Sequence, residues 1–298
     1  MRVFRWSSVI AVVILITATV LGSGCAAPPT EQAPPAPPPP KPNLTPVISS
    51  ITVEPAELLY GESAKITCVA TDPDYDPFEY GWSASDGVII GTGNEVTWVA
   101  PDKDGNFNIA VTVTDSRGGR TTGNVMVAVS APIKTITINP VASETGTVQQ
   151  NNATFYGKTW AGDDAQNVGY RAFWSFDISP VAGKHVEKAS LKFTTDRVMG
   201  KPFWYGPATG LGGLTLWKTT HGSRLPEFGY QGGKLSSTGS FFEPPTVIDV
   251  TTEMRVLAGW SSDRFQIGAL FDRVSNGNNI IESIEWSSVV LEVTYSEK

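Results

Sequence analysis

Two cysteines and two histidines in 298 residues leave little material for thiolate, imidazole-metal or Cys-His chemistry. His185 and His221 sit in polar, turn-like settings with no partner at metal-ligand spacing, and no HExxH or GxSxG is present. No glycine-rich loop joins a strand to a helix, so GLGGL reads as a flexible turn rather than a phosphate cradle. Charge is scarce as well, at 17% of residues, and what there is leans acidic, with a formal net charge of −7. That balance argues against nucleic acid or anionic headgroups as partners for the chain's overall field. Helical periodicity is nearly absent. Only TTEMRVLAGW carries it, with Met254, Leu257 and Ala258 on one side.

One long apolar run exists, and it lies at the start. MRVFRW supplies Arg2 and Arg5 without an acid, and SSVIAVVILITATVLG follows over residues 7–22. A positive n-region, a short apolar h-region and small residues describe a secretory signal over residues 1–24. An uncleaved anchor helix is the alternative, though the run is short for a membrane span. LGSGCAAPP then places Gly22, Ser23 and Gly24 directly before Cys25. This resembles the lipobox of bacterial lipoproteins, with Leu21 one place earlier than the family's aliphatic residue. The resemblance implies that Cys25 is acylated and bound to membrane lipid, with the rest of the chain facing the cell exterior or periplasm. Cys68 is then the sole remaining thiol and has no disulfide partner. It falls in the alternating run AKITCVAT and reads as a small buried hydrophobe.

Residues 25–45, AAPPTEQAPPAPPPPKPNLTP after the cysteine, are too proline-rich to fold. Such a segment extends as polyproline and forms a stalk reaching up to roughly 60 Å. From residue 46 the texture changes to short alternating runs between Gly, Asp and Pro turns: AKITCVAT, FEYGWSAS, EVTWVAP, FNIAVTVTD and NVMVAVS. Over 46–130 this predicts an antiparallel immunoglobulin-like sandwich. Residues 131–298 continue with YRAFWSFDIS, KASLKFTT, LTLWKTT, FQIGALF and SSVVLEVTY, predicting a larger jelly-roll β-sandwich. The fold class is all-β.

ATDPDYDPFEYGW (70–82), YGWSASDG (80–87) and FNIAVTVTDSRGG (107–119) resemble the strands and turns of the polycystic-kidney-disease (PKD) repeat. That resemblance implies a spacer or adhesion module without catalysis. VGYRAFWSFDIS (168–179), VEKASLKFTT (186–195) and VIDVTTEMRVLAGW (247–260) are similar to DNRLRE-type domains. Arg171, Phe176, Asp177, Asp249 and Trp260 occupy that family's matching positions, while KPFWYGPATGLGG departs from its more polar middle stretch.

Three groups of residues are candidates for binding. DPDYDP spaces Asp72, Asp74 and Asp76 at alternate positions, where carboxylates can converge on calcium. The EF-hand template fails there, because Pro77 and Ser83 stand where Gly and Glu belong. Turn formation by Asp-Pro pairs accounts for the same residues. Asp102 and Asp104 mark a second acidic turn. AGDDAQNVGY contributes Asp163 and Asp164, open to a cation, to sugar hydroxyls or simply to solvent. KPFWYGP places Phe203, Trp204 and Tyr205 in succession, so a single buried strand face cannot absorb all three. With Phe241 and Phe242 they are candidates for an aromatic platform that stacks on a pyranose. Packing inside the sandwich is the alternative.

The sequence thus predicts an exported, membrane-anchored, non-catalytic binding module, with glycan or cell-wall polysaccharide as partner. A structural or adhesive scaffold for another surface protein is the second reading. A hydrolase with a dispersed carboxylate pair is the third.

Overall fold

The computed structural model describes residues 38–206, 210–230, 232–235 and 239–297. The expected signal over residues 1–24, Cys25 and the proline-rich segment through residue 37 lie outside the described residues. Two units divide the chain, Met1–Pro42 and Asn43–Lys298. Of the first, residues 38–42 are described and carry no regular secondary structure. Among the described residues no helix is long and apolar enough to cross a membrane.

The second unit opens with eight strands: β1 (Val47–Glu54), β2 (Glu57–Leu59), β3 (Ser63–Thr71), β4 (Phe78–Ala84), β5 (Val88–Ile90), β6 (Glu95–Val99), β7 (Gly105–Asp115) and β8 (Arg120–Ser130). They form two four-stranded sheets, ordered β1-β3-β6-β5 and β2-β8-β7-β4. The apolar alternation of the sequence decides which side chains face inward. In β7, Phe107, Ile109, Val111 and Val113 are buried while their neighbours are only half-buried. ITVEPAELL is not one strand. Proline has no N–H for a ladder, and beyond Pro55 the chain forms β2, which pairs in parallel with β8 of the other sheet. Between the sheets Trp98 is fully enclosed, and its Nε1–H donates to the Asp86 carbonyl at 3.0 Å. Cys68 is a free thiol buried beside Val111 and Val113, where burial pushes its pKa up. The architecture is an immunoglobulin-like sandwich.

The remaining elements are β9 (Ile133–Ile138), β10 (Gly146–Gln149), β11 (Thr154–Tyr156), β12 (Thr159–Asp163), β13 (Gly169–Asp177), β14 (His185–Met199), β15 (Leu214–Thr219), β16 (Gly233–Lys234), β17 (Val247–Asp249), α1 (Thr251–Gly259), β18 (Arg264–Phe271) and β19 (Glu282–Ser296). All the strands belong to one eleven-stranded sheet with the path β16-β15-β18-β13-β12-β19-β14-β17. β10 and β11 branch from β13, and β9 pairs with β19. The sheet curls into a β-sandwich. Leu216 of β15 and Trp174 of β13 share one core with Leu191 of β14 and Trp286 of β19. Trp174 meets Trp286 edge-on at 5.1 Å and Phe193 at 5.8 Å. β12 is the corner: it pairs with β19 from Thr159 to Asp163, but with β13 only at Gly162 and Asp163. Helix α1 buries Met254 and Ala258 fully and packs Leu257 partly against the same core, the face its sequence spacing predicts.

Candidate functional site

The loop after β14 divides the three consecutive rings of KPFWYGP. Phe203 turns inward, packs on the core and meets the Phe271 ring at 5.2 Å. Phe241 also rests against the core, held by a two-way backbone bridge to Leu214. Both phenylalanines support the platform rather than present a face to solvent. Trp204, Tyr205 and Phe242 do the opposite, with 61%, 54% and 59% of their surface exposed.

Tyr205 and Phe242 come together from opposite sides of β15, with ring centroids 5.8 Å apart. Tyr205 is oriented from beneath. Its hydroxyl donates to Asp272 Oδ2, which also accepts the Gly213 N–H at 3.0 Å. That bond to Asp272 raises the Tyr205 pKa. The Arg273 guanidinium lies 5.7 Å from the Tyr205 ring and donates to the Gly206 carbonyl. The glycines of ATGLGG make room for this arrangement. Gly210 and Gly212 have φ of +76° and +87°, and a Cβ would lie 1.9 Å from the Trp204 carbonyl and 2.8 Å from the Tyr205 ring, respectively. The result is a ring pair with a carboxylate and a guanidinium at its edge, plus a third exposed ring, Trp204, next to Tyr205 in the chain. Such a surface can stack on apolar sugar faces and bind hydroxyls.

The DPDYDP turn brings Asp72, Asp74 and Asp76 together, with one oxygen of each within 4.8 Å of the others. Asp72 Oδ1 accepts the N–H groups of Asp74 and Asp76, as an Asx turn does. A cation is already present, because Arg117 donates to Asp76 Oδ2 at 2.6 Å and to Asp74 Oδ2 at 2.9 Å. Asp115 serves the neighbouring hairpin, where its Oδ1 accepts the Arg117 and Gly119 N–H groups. Burial pushes its carboxyl up, but the Asn43 amide and the N–H groups of Gly119, Arg117 and Gly118 outweigh this and hold its pKa below the usual range. Asp104 lies elsewhere, accepting the Ala131 N–H at 2.8 Å.

Asp163 and Asp164 do not converge on one ligand. Asp163 is buried in β12 opposite Glu282 of β19. Burial raises its pKa. Glu282 accepts the Gly210 N–H with both oxygens. These two acids are enclosed, beyond reach of a polysaccharide chain. Asp164 is an Asx-turn residue whose Oδ1 accepts the Gln166 and Val168 N–H groups, while Oδ2 accepts the Tyr170 hydroxyl.

That last bond leads to residues the sequence reading missed. Phe155, Trp160 and Tyr170 form a second aromatic group, with centroids 5.2 to 6.4 Å apart. The available signal was the aromatic spacing in TFYGKTW. Of the positions matched to the DNRLRE pattern, Arg171 is buried 4.3 Å over the Phe228 ring and Phe176 is in the core. Asp177 accepts from Ser179, Asp249 accepts the Thr251 N–H ahead of α1, and Trp260 follows that helix, exposed. His221 is partly enclosed, and burial lowers its pKa.

The folds and surfaces described define a chain of two β-sandwich modules. Residues 43–128 match the bacterial Ig domain family. Among solved structures, a carbohydrate-binding module of the β-sandwich superfamily aligns over 84% of this chain and 98% of its own, with 13% identity and a TM-score of 0.27. The chitinase ChiA74 of Bacillus thuringiensis aligns over 84% of this chain and 26% of its own, at 10% identity and a TM-score of 0.22. The Yersinia pseudotuberculosis adhesin InvE aligns over 79% and 57%, at 10% identity and 0.24. No curated protein sequence matches significantly. The ligand is therefore read from this chain's own residues.

Proposed function

We propose that the protein is an exported lipoprotein, anchored through acylated Cys25 to the membrane and facing the exterior or periplasm. In this reading a PKD-type spacer carries a DNRLRE-type sandwich that binds glycan or cell-wall polysaccharide without chemistry. The placement of Arg171 and Phe176 on β13, and of Asp249 and Trp260 at the two ends of α1, supports the DNRLRE likeness. One observation carries the binding function: Tyr205 and Phe242 are paired, more than half exposed, and edged by Asp272 and Arg273. Rings left in water at this density are costly unless a partner covers them.

A polysaccharide binding screen on the full exported chain tests this, comparing wild type with Tyr205→Ala and Trp204→Ala. Trp204→Ala is expected to melt as wild type does, while Tyr205→Ala also loses the bond to Asp272 and is expected to melt slightly lower but still cooperatively. Binding weakened in either variant supports the platform. Unchanged binding in both removes it.

A further inference from the structure

The outer face of the curled sheet carries a second array that the platform does not use. Trp160 on β12 is in register with Glu285 on β19, and Glu285 is in register with Arg197 on β14. Ala161, Ile284 and Trp286, the chain neighbours of these residues, point into the core, so Trp160, Glu285 and Arg197 share the outward face. On β13, Tyr170 opposes Gly162, two residues along from Trp160, and extends the row. Phe155 on β11 closes against both rings. Aromatic side chains thus occupy one end of a line that crosses four strands, and charged side chains occupy the other.

The groove along this line holds about 490 Å³, walled by Trp160, Lys158, Asp196, Arg197 and Glu285. That is within the range of small-ligand sites, roughly 300–1,000 Å³. Its polar wall is electrically balanced. Arg197 and Glu285 pair at 3.1 Å, while exposed Lys158 and Asp196 contribute one charge of each sign. The aromatic wall is Trp160, backed by the Tyr170 ring at 5.6 Å, and that ring is fixed in place. The Tyr170 hydroxyl donates to Asp164 at 2.8 Å and accepts from Gln149 at 3.0 Å. Burial and the Asp164 bond push its pKa up to about 12, so it stays protonated and anchored.

We propose that this groove is a second saccharide site, specific for uncharged pyranose chains. The Trp160 ring, the one of the three that walls the groove, offers a stacking face to the C–H surface of a sugar. The two acids and two bases supply acceptors and donors for hydroxyls, and their cancelling charge gives no advantage to a uronate or an amino sugar. The inference rests on the glycan-binding reading above and adds to it a site and a ligand class.

Affinity electrophoresis of the full exported chain in gels containing hydroxyethylcellulose, galactomannan or laminarin tests it, with polygalacturonate and chitosan as charged comparators. Wild type is retarded by at least one neutral polymer, and Trp160→Ala weakens that retardation roughly tenfold. Trp160 packs on two other rings, so Lys158→Ala and Asp196→Ala serve as variants at exposed side chains. Each is expected to weaken binding several-fold with its melting temperature unchanged. Retardation of Trp160→Ala, Lys158→Ala and Asp196→Ala equal to wild type overturns the groove, as does retardation by the charged polymers alone or by none. Tyr205→Ala in parallel separates the two readings. Loss in Tyr205→Ala with full binding in Trp160→Ala leaves the platform and removes the groove. The reverse pattern keeps the groove and removes the platform.

Discussion

Arg117 donates its Nε–H to Asp76 at 2.6 Å, across 41 residues of sequence. The guanidinium reaches Asp74 as well, and so supplies a positive charge to two of the three carboxylates of the Asp72–Asp74–Asp76 turn. Asp76 and Asp74 in turn raise the Arg117 pKa, so the charge cannot be lost by titration. A turn that resembles a calcium loop in its spacing is thereby closed with a side chain.

The first prediction concerns that substitution of arginine for metal. Millimolar calcium should leave the melting temperature of the wild type unchanged. Arg117→Ala uncovers the Asp74 and Asp76 carboxylates and should melt lower in EDTA, with calcium restoring part of the loss. Differential scanning calorimetry with and without calcium decides it. A calcium-dependent wild type would mean that Arg117 is displaced by the ion.

Second, two tryptophans should separate packing from binding. Trp174 is fully enclosed against Trp286 and Phe193, and Trp174→Ala should cost about 3–5 kcal/mol. Trp204→Ala, at an exposed ring, should stay within about 0.5 kcal/mol of wild type. Urea unfolding monitored by circular dichroism measures both. A large loss from Trp204→Ala would place that indole in the core and remove it from the platform.

Gly212→Ala is the third test. At a φ of +87°, with the Tyr205 ring 2.8 Å from the new Cβ, the strain should be about 1–3 kcal/mol and the ring must move. Weaker glycan binding together with a lowered melting temperature is expected. Should affinity survive intact, the position of Tyr205 is immaterial to binding.

Acid should reveal a fourth contribution. Burial pushes the Glu144 carboxyl up, but Arg264 at 3.1 and 3.3 Å and the Ser175 hydroxyl at 2.6 Å outweigh it, and the net shift is downward. A carboxyl whose pKa is depressed on folding stabilises the protein above its unfolded value. That stabilisation is lost as pH falls through the folded value. Melting temperatures should therefore fall more steeply below about pH 4.5 in wild type than in Glu144→Gln. Parallel slopes would show that the pair contributes nothing.

Legibility from sequence followed the alternation of large and polar residues. β7, β14 and β19 are long, and their inward positions are apolar, so FNIAVTVTD, KASLKFTT and SSVVLEVTY announce them. β10, β11, β12 and β16 gave no such pattern. On β12 the inward side chain is Ala161 while the large ring of Trp160 points out, so alternation reads backwards and the second aromatic group went unseen. The break in ITVEPAELL required knowing that the strand changes sheets at Pro55, a tertiary event. At the platform, three adjacent rings announced that some would be exposed. Choosing Phe203 as the buried one needed the position of Phe271 on β18, 68 residues away. Asp163 and Asp164 are neighbours whose side chains part because Asp163 ends β12 and Asp164 begins the Asx turn that follows.

The short passage from β8 into β9 has a mechanical meaning. Any pull on the chain upstream of Ile133 enters the larger sandwich through β9, which pairs with β19 from Ile133–Ser296 to Ile138–Leu291. The Lys134–Glu297 ion pair, at 2.8 Å, sits beside the first of those rungs. β19 is also the strand that carries Glu285, and it runs the full length of β14. A load drawn along β9 would be shared by the ladder as a whole and passed to the longest strand pair in the molecule. A pull applied at one end of the chain would thus be borne by backbone hydrogen bonds in parallel, away from the loop that carries Trp204 and Tyr205.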